Sequence, residues 1–220
     1  MPQQVMIEIS DLSASIQGTP ILRNVSLSVP RGQMVGLIGR NGAGKTTLMR
    51  CIMGLLKPTA GQIKINQTVA TDLEGFWRAH NKVGYMPEDR RLVANLSVEE
   101  NILLPAWATK LDNPAKKLQE IYELMPEVAE FAPRLAASLS GGQQKLVAMA
   151  RALLVGQEVL LLDEPFEGVA PTLCKRLIEV IMALKGQDMS VLISESDYTY
   201  TRNMVDRSYA IERGSVTTGK

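Results

Sequence analysis

Residues 39–47, GRNGAGKTT, follow the spacing G-x-x-x-x-G-K-[ST]. Glycines let successive backbone N–H groups curve round a phosphate chain where a Cβ would collide. Lys45 supplies a point charge for the terminal phosphates, and the Thr46 hydroxyl is a hard oxygen ligand for Mg²⁺. Gly39, Arg40, Asn41, Gly42, Ala43, Gly44, Lys45, Thr46 and Thr47 are therefore expected to surround a nucleotide. Two carboxylates close the apolar run EVLLLDEP (158–165). Asp163 suits Mg²⁺, directly or through water, and Glu164 suits a base that takes a proton from attacking water. A third run, VLISESDYTY (191–200), breaks abruptly from apolar residues into Ser194, Glu195, Ser196 and Asp197. Strands that end this way often deliver side chains to a site.

These residues need elements to hold them. VMIEI (5–9) and VSLSV (25–29) alternate with period two and read as strands, while MVGLIG (34–39) is a strand buried on both faces. The glycine loop then opens a helix, TTLMRCIMGLL (46–56), whose first N–H groups and dipole favour anions. QIKIN (62–66) and KVGYM (82–86) are further strand candidates. Leu, Ala, Glu and Lys recur at helical spacing over 89–138, where Pro105, Pro114, Pro126 and Pro133 are expected to separate short helices. EVLLLD (158–163) and SVLIS (190–194) restore the strand pattern on either side of a helical TLCKRLIEVIMALKG. Strands alternating with helices at this spacing imply an α/β fold with a mostly parallel sheet and a helical insertion. Parallel strands bring their carboxyl ends together, so Lys45 and Glu164 can meet across the intervening sequence.

Composition narrows the class. The chain has 220 residues, 45% hydrophobic, with 24 Lys plus Arg against 23 Asp plus Glu. That suits one domain with a proper core and carries no nucleic-acid footprint. No run approaches the length of a membrane-spanning helix, and MPQQVMIEIS lacks the order of a signal peptide. Cys51 and Cys174 form no C-x-x-C pair, which fits a reduced, cytosolic chain. NKVG (81–84) fails as a guanine-specific element because Gly84 replaces the carboxylate such an element needs.

Between the glycine loop and the acidic strand stands SLSGGQQKLVAMARAL (138–153), in which Ser140-Gly141-Gly142 opens a helix. A phosphate loop, then LSGGQ (139–143), then LLLDEP (160–165), in that order, resembles an ATP-binding-cassette (ABC) ATPase over essentially the whole chain. The resemblance implies a P-loop ABC-ATPase core, mostly parallel with N-terminal antiparallel strands. One domain would span 1–220, with a helical subdomain at 89–138. It also implies head-to-tail dimers, of like or unlike protomers, with two ATP molecules and Mg²⁺ at the interface. Ser140, Gly141, Gly142 and Gln143 would then touch the partner's nucleotide, while Lys45, Asp163 and Glu164 act on their own. Membrane permease subunits would be attached on the cytoplasmic face of the plasma membrane, supplied by a periplasmic or extracellular solute-binding protein.

Within the family, YMPEDRR (85–91), LSVEENI (96–102) and EPFEGVAP (164–171) are similar to ATPases of branched-chain amino-acid importers. P-E-D-R also occurs in sugar-importer ATPases. Glu88 stands where relatives carry a glutamine that senses Mg²⁺ and water, Ile16 where an aromatic ring stacks on adenine, and Ser196 where a histidine reaches the γ-phosphate. A serine donates one hydrogen bond and carries no charge. The importer ATPase is the leading expectation, with branched-chain amino acids or a related small polar solute as cargo; a sugar-importer ATPase or a weakly hydrolysing regulatory subunit is the alternative. Trp107 is expected to be buried, Phe76 and Trp77 to be packing residues and His80 to be exposed. No regulatory domain is expected after SYAIERGSVTT (208–218).

Overall fold

The computed structural model describes residues 4–218. Strands β1 (Val5–Ile16) and β2 (Thr19–Pro30) form a long antiparallel hairpin. Its two-residue turn is Gln17-Gly18, both with positive φ, as the right-handed twist of the flanking strands requires. Both strands run well beyond VMIEI and VSLSV. Asp11 and Asn24 adopt φ of 51° and 49°, and the register shifts beside Asp11, so the alternation resets in mid-strand and hides its continuation. β4 (Ala60–Ile65) pairs with β1, and β5 (Thr68–Val69) completes this sheet in the order β2-β1-β4-β5.

The second sheet contains β3 (Met34–Ile38), β6 (Val83–Met86), β7 (Val159–Asp163), β8 (Ser190–Glu195), β9 (Arg207–Glu212) and β10 (Ser215–Thr218). Its order is β10-β9-β3-β8-β7-β6, parallel throughout except at β10. Every residue of β3, β7 and β8 is buried, because both faces are covered. Val35, Leu37, Leu161 and Leu192 face the hairpin sheet and helix α1 (Lys45–Ile52). Met34, Leu160, Leu162, Val191 and Ile193 face helices α6 (Gly141–Val155) and α7 (Pro171–Leu184).

Between β5 and β6 lies a short helix, α2 (Gly75–His80), and between β6 and α6 lie α3 (Val98–Thr109), α4 (Pro114–Leu124) and α5 (Pro126–Glu130). Pro114 and Pro126 open helices, but Pro105 lies inside α3 without dividing it, contrary to the expected break. α1 stops at Ile52 rather than running to Leu56, because Gly54 turns the chain with φ 67°. Trp107 is 53% exposed, not buried: it projects from the face of α3 away from the core residues Ile102 and Ala106. Phe76 is 70% exposed, Trp77 packs partly against the core, and His80 is exposed as expected.

Candidate phosphate-binding and hydrolytic site

The parallel register aligns the carboxyl ends of the central strands. Ile38 lies opposite Glu195, Asp163 opposite Ser194, and Met86 opposite Leu162. The glycine loop, the Asp163-Glu164 pair and the Pro87-Glu88 turn therefore emerge along one edge, where α/β sheets place their ligands. Gly39 is fastened there by its N–H, which donates to the Glu195 carbonyl at 3.0 Å. A Cβ at Gly39 would lie 2.2 Å from the Ile211 carbonyl oxygen, so no other residue fits. Gly44 caps α1 with φ 111° and leaves the helix's first N–H groups facing the loop.

Lys45 is 3% exposed. Its Nζ donates to the carbonyls of Gly39 at 2.5 Å and Arg40 at 3.2 Å, and lies 3.0 Å from Glu164 Oε1. Asp163 is fully buried: Ser194 Oγ donates to its Oδ1 at 2.6 Å and the Tyr85 hydroxyl to its Oδ2 at 3.2 Å. Burial pushes the Asp163 carboxyl above its ordinary range, against hydrogen bonds from Ser194, Thr46 and Tyr85. Burial likewise raises Glu164, with Lys45 opposing. Glu164 adopts φ 48°, uncommon for a residue with a side chain, and its Oε2 is buried without a hydrogen-bond partner. Carboxylate oxygens of Glu88, Glu164 and Glu167 lie within 4.8 Å of one another, and Thr46 Oγ1 is 3.5 Å from Glu88 Oε2.

A cavity of about 340 Å³ opens over these groups, lined by Ile21, Asn41, Gly42, Gly44, Lys45, Thr46, Thr47, Glu88 and Glu164. The remaining candidates do not line it. Gly39, Arg40 and Ala43 shape the loop from behind, Arg40 by accepting from Lys45 and Ala43 by accepting from the Gly214 N–H at 3.0 Å. Ile16 sits 38% exposed at the hairpin turn and is not among the lining residues, whereas Ile21 is. Ser196 is the first exposed residue after β8. Ser140 caps α6 in a reciprocal capping box with Gln143, and neither lines the cavity of its own chain. Arg90 Nη1 donates to the Gly141 carbonyl at 3.4 Å, tying the Glu88 turn to that helix start.

Sequence reasoning gave Ser194, Tyr85 and Glu167 no individual role, although Ser194 stands in the polar end of VLISESDYTY that is expected to serve a site. Ser194 reads as the last position of a buried strand, and only its pairing with Asp163 reveals a role. Tyr85 belongs to YMPEDRR, a motif that gives it no role of its own. Glu167 carried a signal, being a second acid three residues past Glu164.

The donor set suits an anionic nucleotide with a hard divalent cation. A buried ammonium and a helix N-terminus serve the phosphates. Thr46, Asp163, Glu88 and Glu164 offer oxygen ligands, and the partnerless Glu164 Oε2 leaves one acceptor uncommitted.

Comparison with known proteins agrees with this chemistry. The ABC transporter family model matches residues 22–167. The chain is 32% identical over 195 residues to the high-affinity branched-chain amino acid transport ATP-binding protein BraG of Pseudomonas aeruginosa, covering 89% of this chain and 84% of that one. It is equally 32% identical, over 206 residues, to the lipopolysaccharide export system ATP-binding protein LptB of Escherichia coli strain K12, covering 93% and 86%. A solved ATP-binding subunit of an ABC transporter superposes with a TM-score of 0.85 at 28% identity, covering 97% of this chain and 90% of that one. The chain belongs to the ABC transporter family and is the ATP-binding, ATP-hydrolysing subunit of a transporter.

Proposed function

We propose that the chain powers solute import, with branched-chain amino acids or a related small polar solute as cargo. The carrying observation is the Lys45–Glu164 pair lining one cavity, with Asp163 buried next to Glu164 at the end of β7. The loop N–H groups and Lys45 hold the phosphates. Thr46, Asp163 and Glu88 are the residues suited to Mg²⁺, which supplies positive charge to the phosphate oxygens. Glu164 takes the proton of the attacking water, for which a carboxyl raised by burial is suited. Ser196, exposed just past the end of β8, offers a hydroxyl, and Ile16 an aliphatic surface beside the hairpin turn. Ser140, Gly141, Gly142 and Gln143 form the start of α6 and do not line their own chain's cavity, which leaves them for a second protomer's nucleotide.

Among the described residues no helix is long and apolar enough to cross a membrane. Membrane permease subunits would carry the solute across, with the ATPase docked on their cytoplasmic side and a solute-binding protein delivering cargo outside. YMPEDRR and EPFEGVAP, together with the similarity to BraG, support import. The equal similarity to LptB supports a second reading, an export ATPase.

Deleting the gene should abolish high-affinity uptake of labelled leucine, and wild-type but not Lys45→Ala protein should restore it. Unchanged leucine uptake with a defective cell envelope would favour export. Glu164→Gln should form an ATP-dependent dimer on gel filtration; a monomer at saturating ATP would overturn the head-to-tail reading.

A further inference from the structure

Lys145, the fifth residue of α6, is 5% exposed. Its Nζ donates to the Glu164 carbonyl oxygen at 2.7 Å. Two residues of β8 grip the same turn from the other side. The Glu164 N–H donates to the Ser194 carbonyl at 3.1 Å and to Ser194 Oγ at 3.3 Å. The Phe166 N–H donates to Oε1 of Glu195, which is 6% exposed, at 3.1 Å. The turn held in this way contains Glu164 at φ 48°. A non-glycine residue persists in that region only where its surroundings over-determine it.

A buried ammonium is costly, and desolvation drives Lys145 toward its neutral form while Glu195, Glu167 and Glu164 oppose this. If the site only needed filling, an apolar side chain on α6 would serve at less cost. A lysine has instead a defined acceptor: the carbonyl of the residue whose carboxylate pairs with Lys45. The backbone angles of Glu164 set the direction of its Cα–Cβ bond, from which the side-chain torsions place the carboxylate. Fixing the Glu164 peptide therefore fixes where its side chain starts toward the cavity.

We propose that Lys145 is a positioning residue for ATP hydrolysis, holding the left-handed Glu164 peptide so that the carboxylate faces the phosphate site. This rests on the role of Glu164 as the base.

The test compares steady-state ATP hydrolysis by the purified full chain with that of Lys145→Met, Lys145→Arg, Glu164→Gln and the double variant Lys145→Met/Glu195→Gln. The double variant removes both buried charges together, which protects the fold while leaving the Glu164 carbonyl without its donor. Lys145→Met and the double variant should lose about 10- to 100-fold in kcat. Their KM for ATP should stay within roughly twofold of wild type, and Lys145→Arg should restore most of kcat. A double variant that keeps wild-type kcat overturns the inference, as does one that loses ATP affinity in step with kcat. Glu164→Gln at wild-type turnover would overturn the base assignment itself, a separate failure.

Discussion

Lys45 Nζ lies 3.0 Å from Glu164 Oε1, with side chains 2% and 6% exposed. The ammonium suited to a phosphate chain is thus neutralised by the carboxylate suited to water activation. Each holds the other in a place where neither would be stable alone. Lys45→Met should cost about 3 kcal/mol, because it strands a buried carboxylate. The loss should be larger at pH 8 than at pH 5, since Glu164, already raised by burial, escapes its charge only by keeping a proton. The double variant Lys45→Met/Glu164→Gln should recover more than half of that loss in urea denaturation. Additive losses would deny the coupling.

Glu195 gives the fold a pH dependence of known sign. Its carboxyl is pushed up to about 7 from an ordinary 4.5, chiefly by burial and further by Glu164, while Lys145 and the Phe166 and Ser196 N–H groups oppose. Between these values the unfolded chain has released a proton that the folded chain still holds. Stability therefore falls as pH rises from about 4.5 to about 7, by about 3 kcal/mol in full. Glu195→Gln keeps an acceptor for Phe166 and removes the titration. The variant should match wild type at pH 4.5 and exceed its stability at pH 8; an equal gap at both would refute this origin.

The glycine loop, both acidic residues and the central parallel strands were legible in the sequence, because close backbone approach and two-sided burial restrict residue type tightly. Local turns were not. The hairpin's extension was masked by the irregular register beside Asp11 and the positive φ of Asn24, and α2 is too short to show a period. The site's buried neighbours were hidden for a different reason. Ser194 and Lys145 act through strand pairing and helix packing, and their partners lie 31 and 19 residues away. The alignment that singled out Ile16 and Ser196 depends on family spacing; the cavity itself is lined by Ile21, and Asp163 is held by Ser194.

Those two serines should separate cleanly on mutation. Ser194→Ala removes the 2.6 Å donor to a buried Asp163 and should destabilise the fold by about 1–3 kcal/mol. Ser196 is exposed, so Ser196→His should leave the thermal midpoint unchanged. It should keep ATP binding intact and maintain or raise hydrolysis, since an imidazole adds a donor that can carry charge. A change in ATP binding alone would place residue 196 away from the γ-phosphate.

Arg78 is fully buried and donates only to carbonyls: Nε to Ile52 at 2.9 Å, Nη2 to Ala70 at 2.6 Å, and Nη1 to Leu73 and Glu74. Ile52 ends the helix that Lys45 begins, so the guanidinium caps the negative end of the helix dipole whose positive end faces the phosphate site. Desolvation lowers its pKa, with Glu74 opposing. A lysine cannot reach these four acceptors from one position, because it offers a single nitrogen where Arg78 offers a planar fork. Arg78→Lys and Arg78→Met should therefore both destabilise the chain by about 3 kcal/mol or more. Gly54→Ala should behave similarly, since its Cβ would lie 2.7 Å from Arg78 Nη1 at a residue with φ 67°. Thermal unfolding of the three variants checks this. A midpoint within roughly 2 °C of wild type for Arg78→Met would show that the guanidinium's carbonyl contacts contribute nothing net.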